Sequence, residues 1–138
     1  MTVLVDTSVL VDHLRGHEPA ARALSELVRS GRPRVASVLT RTEILHGLPP
    51  RQVAGWERLA GILTWLPVDL AVADRAGALA QQYRASHSSI DIVDHLIAAT
   101  AEHHQAELWT RNVRHSPPSP VYARRTRTRH RPMAWAGD

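Results

Sequence analysis

Apolar residues recur along the chain in two spacings. Short runs rich in β-branched residues are typical of strands, and longer segments with apolar residues three and four apart are typical of helices that cover a core. The strand-like runs are 2–6, 34–38, 65–68 and 107–110. The helical segments are 7–15, 18–30, 40–48, 51–64, 70–85 and 91–104.

The alternation of strands with helices predicts an α/β fold with a mostly parallel central sheet covered by helices. A length of 138 residues fits one domain with a real core. We assign that domain to residues 1–115. Residues 116–138 show neither periodicity, and we expect an irregular, basic tail there.

Composition narrows the class of protein. The chain has no cysteine, which excludes disulfides and thiolate metal sites and fits a reducing cytoplasm. No apolar run approaches the roughly 18 residues of a membrane span, and the first residues lack the order of a signal peptide. We therefore expect a cytoplasmic protein with no membrane partner.

The positive charge is confined to the tail. All 17 basic residues are arginine, and the formal net charge is +4. Residues 1–115 hold 12 arginines and 12 acids, whereas residues 116–138 hold five arginines and one acid. A high pI often indicates nucleic-acid binding, but here that argument applies to the tail rather than to the fold.

Carboxylates fall where parallel strands end. Asp6 follows the first apolar strand, in TVLVDTSVLVDHL. Ligands of parallel α/β proteins bind beyond the carboxyl ends of the strands. Asp6 is also suited to cap the next helix, and the two roles are compatible. The second acid, Glu43, completes a capping-box pattern with Thr40, which is an equally good explanation for it.

A third segment, IDIVDHLIAATAEH, predicts an amphipathic helix with two acids. Its apolar stripe should face the core and contains Ile90, Val93, Ile97 and Ala101. Asp91 and Asp94 are three residues apart, beside that stripe, where like charges repel unless a cation lies between them. A solvated acidic edge is the alternative, but only His95 separates Asp94 from the apolar run LIAA.

The fourth segment, LWTRNVRH, brings Thr110 and Asn112 to the end of a strand. Turn chemistry explains such residues equally well. His115 is a weaker candidate for a ligand or substrate contact. Hard oxygen donors, without cysteine or paired histidine, suit Mg²⁺ or Mn²⁺ better than zinc. Such ions support phosphodiester hydrolysis, which is the first chemical hypothesis.

Four motifs in this order resemble the PIN-domain nucleases, and most closely the VapC toxins of type II toxin–antitoxin pairs. They are LVDTSVLVDHL, TRTEILHG, DHLIAATA and LWTRNVRH, and the match covers roughly residues 2 to 115. DTS alone is weak, whereas the four-part series is specific. The resemblance implies a metal-dependent ribonuclease on a three-layer α/β/α sandwich, which would belong to the hydrolases acting on ester bonds (EC 3.1).

The resemblance also implies roles for individual residues. Asp6, Glu43 and Asp94 match the acidic positions that hold the divalent metal, and Asp91 matches less well, as an auxiliary. Thr110 and Asn112 match the segment that orders the site. The implied reaction is attack of metal-activated water on RNA, leaving 3′-hydroxyl and 5′-phosphate ends. Thr7 or Ser8 is expected to hydrogen-bond Asp6.

Partners follow from the same resemblance. They are an RNA substrate, a VapB-like antitoxin that blocks the site, operator DNA bound only through that antitoxin, and a second copy of the chain in a homodimer. We expect the antitoxin at a groove between residues 18–30 and 51–64, because exposed apolar helix faces suit a helix-in-groove partner.

The chain departs from the family pattern at its end. Many PIN domains carry a further Asp where His115 stands, so a fully occupied second metal site is in doubt. Relatives usually continue His-Phe-Pro, an apolar residue and Phe-Pro, whereas this chain has no Phe at all. Deleting one T from a hypothetical coding stretch for HFPAFPGLRAPY yields HSPPSPVYARRT, which is the sequence of residues 115–126.

The tail therefore has two explanations, a frameshifted remnant or a genuine basic arm for RNA. Resequencing the gene would separate them. The function has alternatives too. A chain with a damaged C-terminus could be a catalytically impaired PIN fold that only binds its antitoxin. A nucleic-acid-binding module working through the tail ranks last, because it leaves the carboxylates unexplained.

Overall fold

A parallel sheet forms the centre of the molecule. The computed structural model describes residues 1–86 and 90–111. Within them the sheet has the order β3-β2-β1-β4, with every neighbouring pair parallel. Its strands are β1 (Val3–Val5), β2 (Arg34–Ser37), β3 (Thr64–Leu66) and β4 (Glu107–Trp109). The predicted parallel sheet is therefore confirmed.

Six α-helices surround this sheet in the described part of the chain. They are α1 (Thr7–Leu14), α2 (Glu18–Arg29), α3 (Val38–Gly47), α4 (Val53–Gly61), α5 (Leu70–Tyr83) and α6 (Ile92–His103). A short 3-10 helix, Pro50–Gln52, precedes α4. No helix among the described residues is both long and apolar enough to cross a membrane.

The central strand β1 shows why the fold has three layers. Val3, Leu4 and Val5 are fully buried. Alternate side chains of a strand point to opposite faces of the sheet. Val3 and Val5 accordingly pack into a core with α1, α2 and α4, while Leu4 packs with Ile97 of α6 on the other face. Both faces are covered, which is the expected α/β/α sandwich.

Helices α5 and α6 pack on each other through small residues. Ala76 of α5 and Ala98 and Ala99 of α6 are buried in a cluster with Leu79. The predicted apolar stripe of α6 is confirmed. Ile97 and Ala101 are buried, Ile90 is buried just before the helix, and Val93 packs against the separate cluster that contains Leu4, Ile97 and Ala101.

Several expected elements begin elsewhere than the pattern indicated. Helix α3 begins at Val38, directly after β2, rather than at residue 40. The segment 51–64 divides into the 3-10 helix and α4, and β3 begins at Thr64. Proline has a fixed φ angle and lacks an N–H. Pro49 and Pro50 therefore favour a tight 3-10 turn over a regular helix start.

The expected docking groove between α2 and α4 stays a prediction. Leu24, Leu27, Trp56 and Leu59 of these helices lie in the core beside β1. Val28 of α2 and Val53 of α4 are exposed. Residues 116–138, including the proposed frameshift, lie outside the described residues.

Candidate active site

A cleft of about 470 Å³ opens at the carboxyl end of β1. Residues from the ends of several elements line it: Asp6, Thr7, Ser8, Val11, Asp12, Arg15, Glu43, Asp94 and Arg111. Three separated sequence motifs thus deliver their acids to one place, as expected for a parallel sheet whose strands all end on the same side.

Asp6 occupies the helix-capping position without capping the helix. Its backbone is extended at the start of α1, but its side chain makes no cap bond. Instead, Ser8 Oγ donates to Asp6 Oδ2 over 2.9 Å, and Thr110 Oγ1 donates to the same oxygen over 2.8 Å. Neither bond uses Oδ1. Asp6 is buried, with 6% of the residue exposed. Two hydroxyls orient its carboxylate, one from Ser8 and one from Thr110, so the cap explanation is wrong for the side chain.

Glu43 is not part of a capping box either. Ser37, the last residue of β2, caps α3 by accepting a hydrogen bond from the backbone N–H of Leu39 over 3.1 Å. Thr40 is fully buried in the first turn of α3. Glu43 therefore lies further along the helix, and its exposed side chain extends to the cleft rather than back to the helix start.

Thr7 links the first and second motifs. Its hydroxyl lies 2.9 Å from Glu43 Oε1 and 2.9 Å from Thr40 Oγ1. A hydroxyl has a single proton, so Thr7 donates to one of these oxygens at a time. Ser8 orients Asp6 and Thr7 orients Glu43, which gives the two hydroxyl residues different partners. The sequence reasoning expected either of them to bind Asp6 only.

Asp94 lies half-buried in the first turn of α6. Burial raises the pKa of its carboxyl, and the nearby charges of Asp6, Asp91 and Glu43 raise it further, against an opposing hydrogen bond from the Asp91 backbone. Asp94 therefore carries its charge at a cost, which is typical of a carboxylate held beside others for a functional reason.

Asp91 has a more distant position than predicted. It stands immediately before α6, at the N-cap position, and its side chain makes no cap bond. It is exposed and does not line the cleft. The pair Asp91 and Asp94 is therefore not two acids within one helix, although Asp91 still acts on the charge of Asp94.

The grouping of acids fits a hard divalent cation in its chemistry. None of the ion pairs among residues 1–86 and 90–111 uses Asp6, Glu43 or Asp94. Within the same ranges, no three His, Asp or Glu side chains are close enough together to form a closed metal site. The carboxylates line one cleft but do not converge on a single position, which agrees with their mutual repulsion. Oxygen donors of this type suit Mg²⁺ or Mn²⁺.

The sequence reasoning missed Asp12, although it lies in the cleft lining. Its side chain is 8% exposed, and its Oδ1 accepts from Nη1 of Arg111 over 3.0 Å. Its Oδ2 is buried and accepts no hydrogen bond from the described residues, which costs about 1–3 kcal/mol for such a group. The signal was available: Asp12 follows Ser8 by four residues in one helix, so both share one face.

Thr110 donates a hydrogen bond to Asp6 and so lies at the site, and its role in ordering the site stays a prediction. Asn112, its predicted companion, and His115 lie outside the described residues.

The comparison with known families is decisive at this point. Residues 3–116 match the family model of the PIN domain. This chain belongs to the PIN-domain family. The acidic cleft at the strand ends is thus the part of this PIN domain that the four sequence motifs build.

Two curated relatives resemble this PIN domain over most of its length. It is 45% identical over 117 residues to Ribonuclease VapC19 of Mycobacterium tuberculosis, covering 85% of this chain and 94% of the relative. It is 37% identical over 115 residues to Ribonuclease VapC10 of the same species, covering 83% and 86%. The chain is therefore VapC-like, as the motifs indicated.

Solved structures agree on the fold. A toxin–antitoxin complex from Klebsiella pneumoniae matches with a TM-score of 0.69 and 28% identity, covering 86% of this PIN domain and 93% of that chain. VapBC2 from Rickettsia felis, bound to a DNA fragment from its promoter, matches with a TM-score of 0.73 and 19% identity, covering 83% and 90%. FitAcB from Neisseria gonorrhoeae matches with a TM-score of 0.60 and 30% identity, covering 80% and 87%.

Proposed function

We propose that this PIN-domain protein is the toxin of a toxin–antitoxin pair and a metal-dependent endoribonuclease that acts in the cytoplasm. One observation carries the proposal: Asp6, Glu43 and Asp94, from three separate motifs, line one cleft at the strand ends. The names of the relatives, both ribonucleases, support RNA as the substrate.

The metal is proposed to be Mg²⁺, with Mn²⁺ as a substitute, held by Asp6, Glu43 and Asp94. When bound, such an ion lowers the pKa of a coordinated water and neutralises charge on the phosphodiester oxygens. The three carboxylates supply oxygen ligands only, which suits these ions.

The other residues of the site orient those carboxylates. Ser8 and Thr110 hold Asp6 by one oxygen, and Thr7 bonds to Glu43. Holding a ligand in a single rotamer matters, because supporting hydrogen bonds around a metal are worth about 10–100-fold in affinity or activity. Asp91 is proposed as an auxiliary acid that acts through its charge, and Asn112 as a further ordering residue.

Partners are proposed from the structures that resemble this chain. Those structures are toxin–antitoxin complexes, one of them bound to promoter DNA. A VapB-like antitoxin, operator DNA reached only through it, and a homodimer are accordingly proposed here.

The deciding experiment compares metal-dependent RNA cleavage by the full chain and by Asp94→Asn. Purified protein is incubated with total RNA and Mg²⁺ or Mn²⁺, and a parallel reaction contains EDTA. We expect cleavage that EDTA abolishes and that Asp94→Asn lowers by about 100-fold or more, since loss of a ligand should exceed the effect of losing a supporting bond. Asp74→Asn, which removes an exposed acid of α5 away from the cleft, should cleave as the unaltered protein does.

Two results would contradict the proposal. Equal cleavage by the unaltered protein and Asp94→Asn would indicate a contaminating nuclease or another site. A folded protein that cleaves nothing with either metal would favour the alternative function, a catalytically impaired PIN fold that only binds its antitoxin.

A further inference from the structure

The cleft is lined by positive as well as negative groups. Arg15 and Arg111 line it together with the three acids. Arg15 follows α1 and Asp6 precedes it, so their backbones are separated by roughly 13 Å along the helix axis, at 1.5 Å per residue. Arg15 thus extends the cleft away from Asp6, whereas Arg111 is held close to Asp6 through Ser8. RNA is a polyanion, and three acids alone would repel it.

Arg111 is fixed at one end and available at the other. Its backbone N–H donates to Ser8 Oγ over 3.0 Å, and its Nη1 donates to Asp12 Oδ1 over 3.0 Å. About half of its side chain remains exposed. A guanidinium has five N–H donors in a planar fork, of which the Asp12 bond uses one, so donors remain for a phosphate.

The pairing with Asp12 leaves part of Arg111 unused. Asp12 is almost completely buried, yet its Oδ2 lacks a hydrogen bond from any described residue. Arg–carboxylate pairs are often bidentate, whereas Asp12 and Arg111, which both line the cleft, share a single bond. Asp12 therefore holds one nitrogen of the guanidinium and leaves other donors for a ligand.

Arg15 contributes a second cation with no structural duty in the described part of the chain. Its side chain is exposed, and no hydrogen bond or ion pair joins it to residues 1–86 or 90–111. A charge that stabilises nothing nearby but lines a cleft is suited to a ligand that arrives from solution.

We propose that Arg111 and Arg15 bind backbone phosphates of a single-stranded RNA, next to the phosphodiester bond that is cleaved at the carboxylates. Asp12 is the positioning residue for Arg111. The inference rests on the proposed function, because it takes RNA as the ligand of the cleft. It assigns two residues to substrate binding and separates them from those assigned to the metal.

The test measures RNA binding without cleavage. A fluorescently labelled single-stranded RNA is titrated with the full chain in EDTA, by anisotropy, at several salt concentrations. The variants are Arg111→Gln and Arg15→Gln, and the matched control is Arg51→Gln, which removes the same charge from an exposed position outside the cleft. Removing one arginine that binds a phosphate should lower the salt slope by about 0.7 and the affinity at 0.1 M salt by about 5-fold, whereas the control should change neither.

Asp12 is tested as a positioning residue by a double-mutant cycle. Asp12→Asn should lower RNA affinity when Arg111 is present and have no further effect in Arg111→Gln, since it acts through that arginine. Arg111→Lys should keep the salt slope, because the positive charge is retained. The RNA affinity should fall, because lysine lacks the planar set of guanidinium donors. A merely structural pair would not produce this pattern.

The outcomes are separable from those of the cleavage test. Salt slopes of Arg111→Gln and Arg15→Gln equal to that of Arg51→Gln would overturn the inference, as would an unaltered protein that binds no RNA. Arg15→Gln decides the matter if Arg111→Gln fails to fold, because its side chain bonds to no described residue. Binding that depends on both arginines, without metal-dependent cleavage, would refute the nuclease and leave the phosphate site standing.

Discussion

Two residues of the cleft, Asp94 and Asp12, lower the stability of the fold. The pKa of Asp94 is raised by burial and by three neighbouring acids, and Asp12 buries an oxygen without a partner among the described residues. Groups kept at such a cost are common at functional sites. The sequence indicated Asp6, Glu43 and Asp94 through their motifs. It did not indicate Asp12, because a single acid in a helix with other polar residues has several explanations.

The raised pKa predicts that Asp94→Asn stabilises the metal-free protein. A carboxyl whose pKa is higher in the folded than in the unfolded state lowers stability once it is ionised. The loss sets in as pH rises above the ordinary value of 3.8 and is complete above the raised value. Because the group is half exposed, we expect a gain below about 1 kcal/mol at pH 7.

This effect is measured by urea unfolding in EDTA. The gain from Asp94→Asn should disappear below pH 3.8, where the carboxyl is protonated in both states, and Asp74→Asn should show no gain at any pH. A variant less stable than the unaltered protein at pH 7 would refute the repulsion argument.

Elements position these residues, and their boundaries were the least predictable part. The strands and helices follow from apolar spacing, since that spacing depends only on neighbouring residues. The start of α3 could not be predicted from that spacing, because both Ser37 and Thr40 are suitable N-cap residues. The pairing of β2 with β3, which extends to Ser37, decides between them, and strand pairing depends on residues distant in sequence. The bond between Asp6 and Thr110 likewise depends on the pairing of β1 with β4.

The cap of α3 predicts a coupled loss of stability and activity. Ser37→Ala removes the acceptor for the Leu39 N–H and should lower the free energy of unfolding by about 1 kcal/mol. Because α3 carries Glu43, fraying of its first turns should also reduce RNA cleavage.

The matched control is the cap of α5, where Asp69 Oδ1 accepts from the Val72 N–H over 2.9 Å. Asp69→Ala should destabilise the protein similarly while leaving cleavage intact, since α5 contributes no residue to the cleft lining. If both variants lose the same activity, the link between α3 and the site is disproved.

The whole molecule should respond to divalent metal as a unit. A ligand that binds only the folded state raises stability by about 2.7 kcal/mol at 100 times its dissociation constant. We therefore expect Mg²⁺ to raise the melting temperature of the full chain and to do so much less in Asp94→Asn.

Thermal unfolding with Mg²⁺, against Na⁺ at matched ionic strength, measures this difference. An equal rise in both proteins would point to non-specific screening rather than to a site at the carboxylates. The division of the chain at residue 115 stays a prediction at this scale.

The pairing of β1 with β4 also determines when the site can form during synthesis. Asp6 is synthesised 104 residues before Thr110, whose hydroxyl orients it. At 5–20 residues per second, a ribosome needs about 5–20 s to cover that interval. Throughout it, β1 lacks its outer neighbour and Asp6 lacks one of its two donors. The cleft of a nascent chain is therefore not yet assembled. The addition of β4 to the sheet brings Thr110 to Asp6 and completes the site.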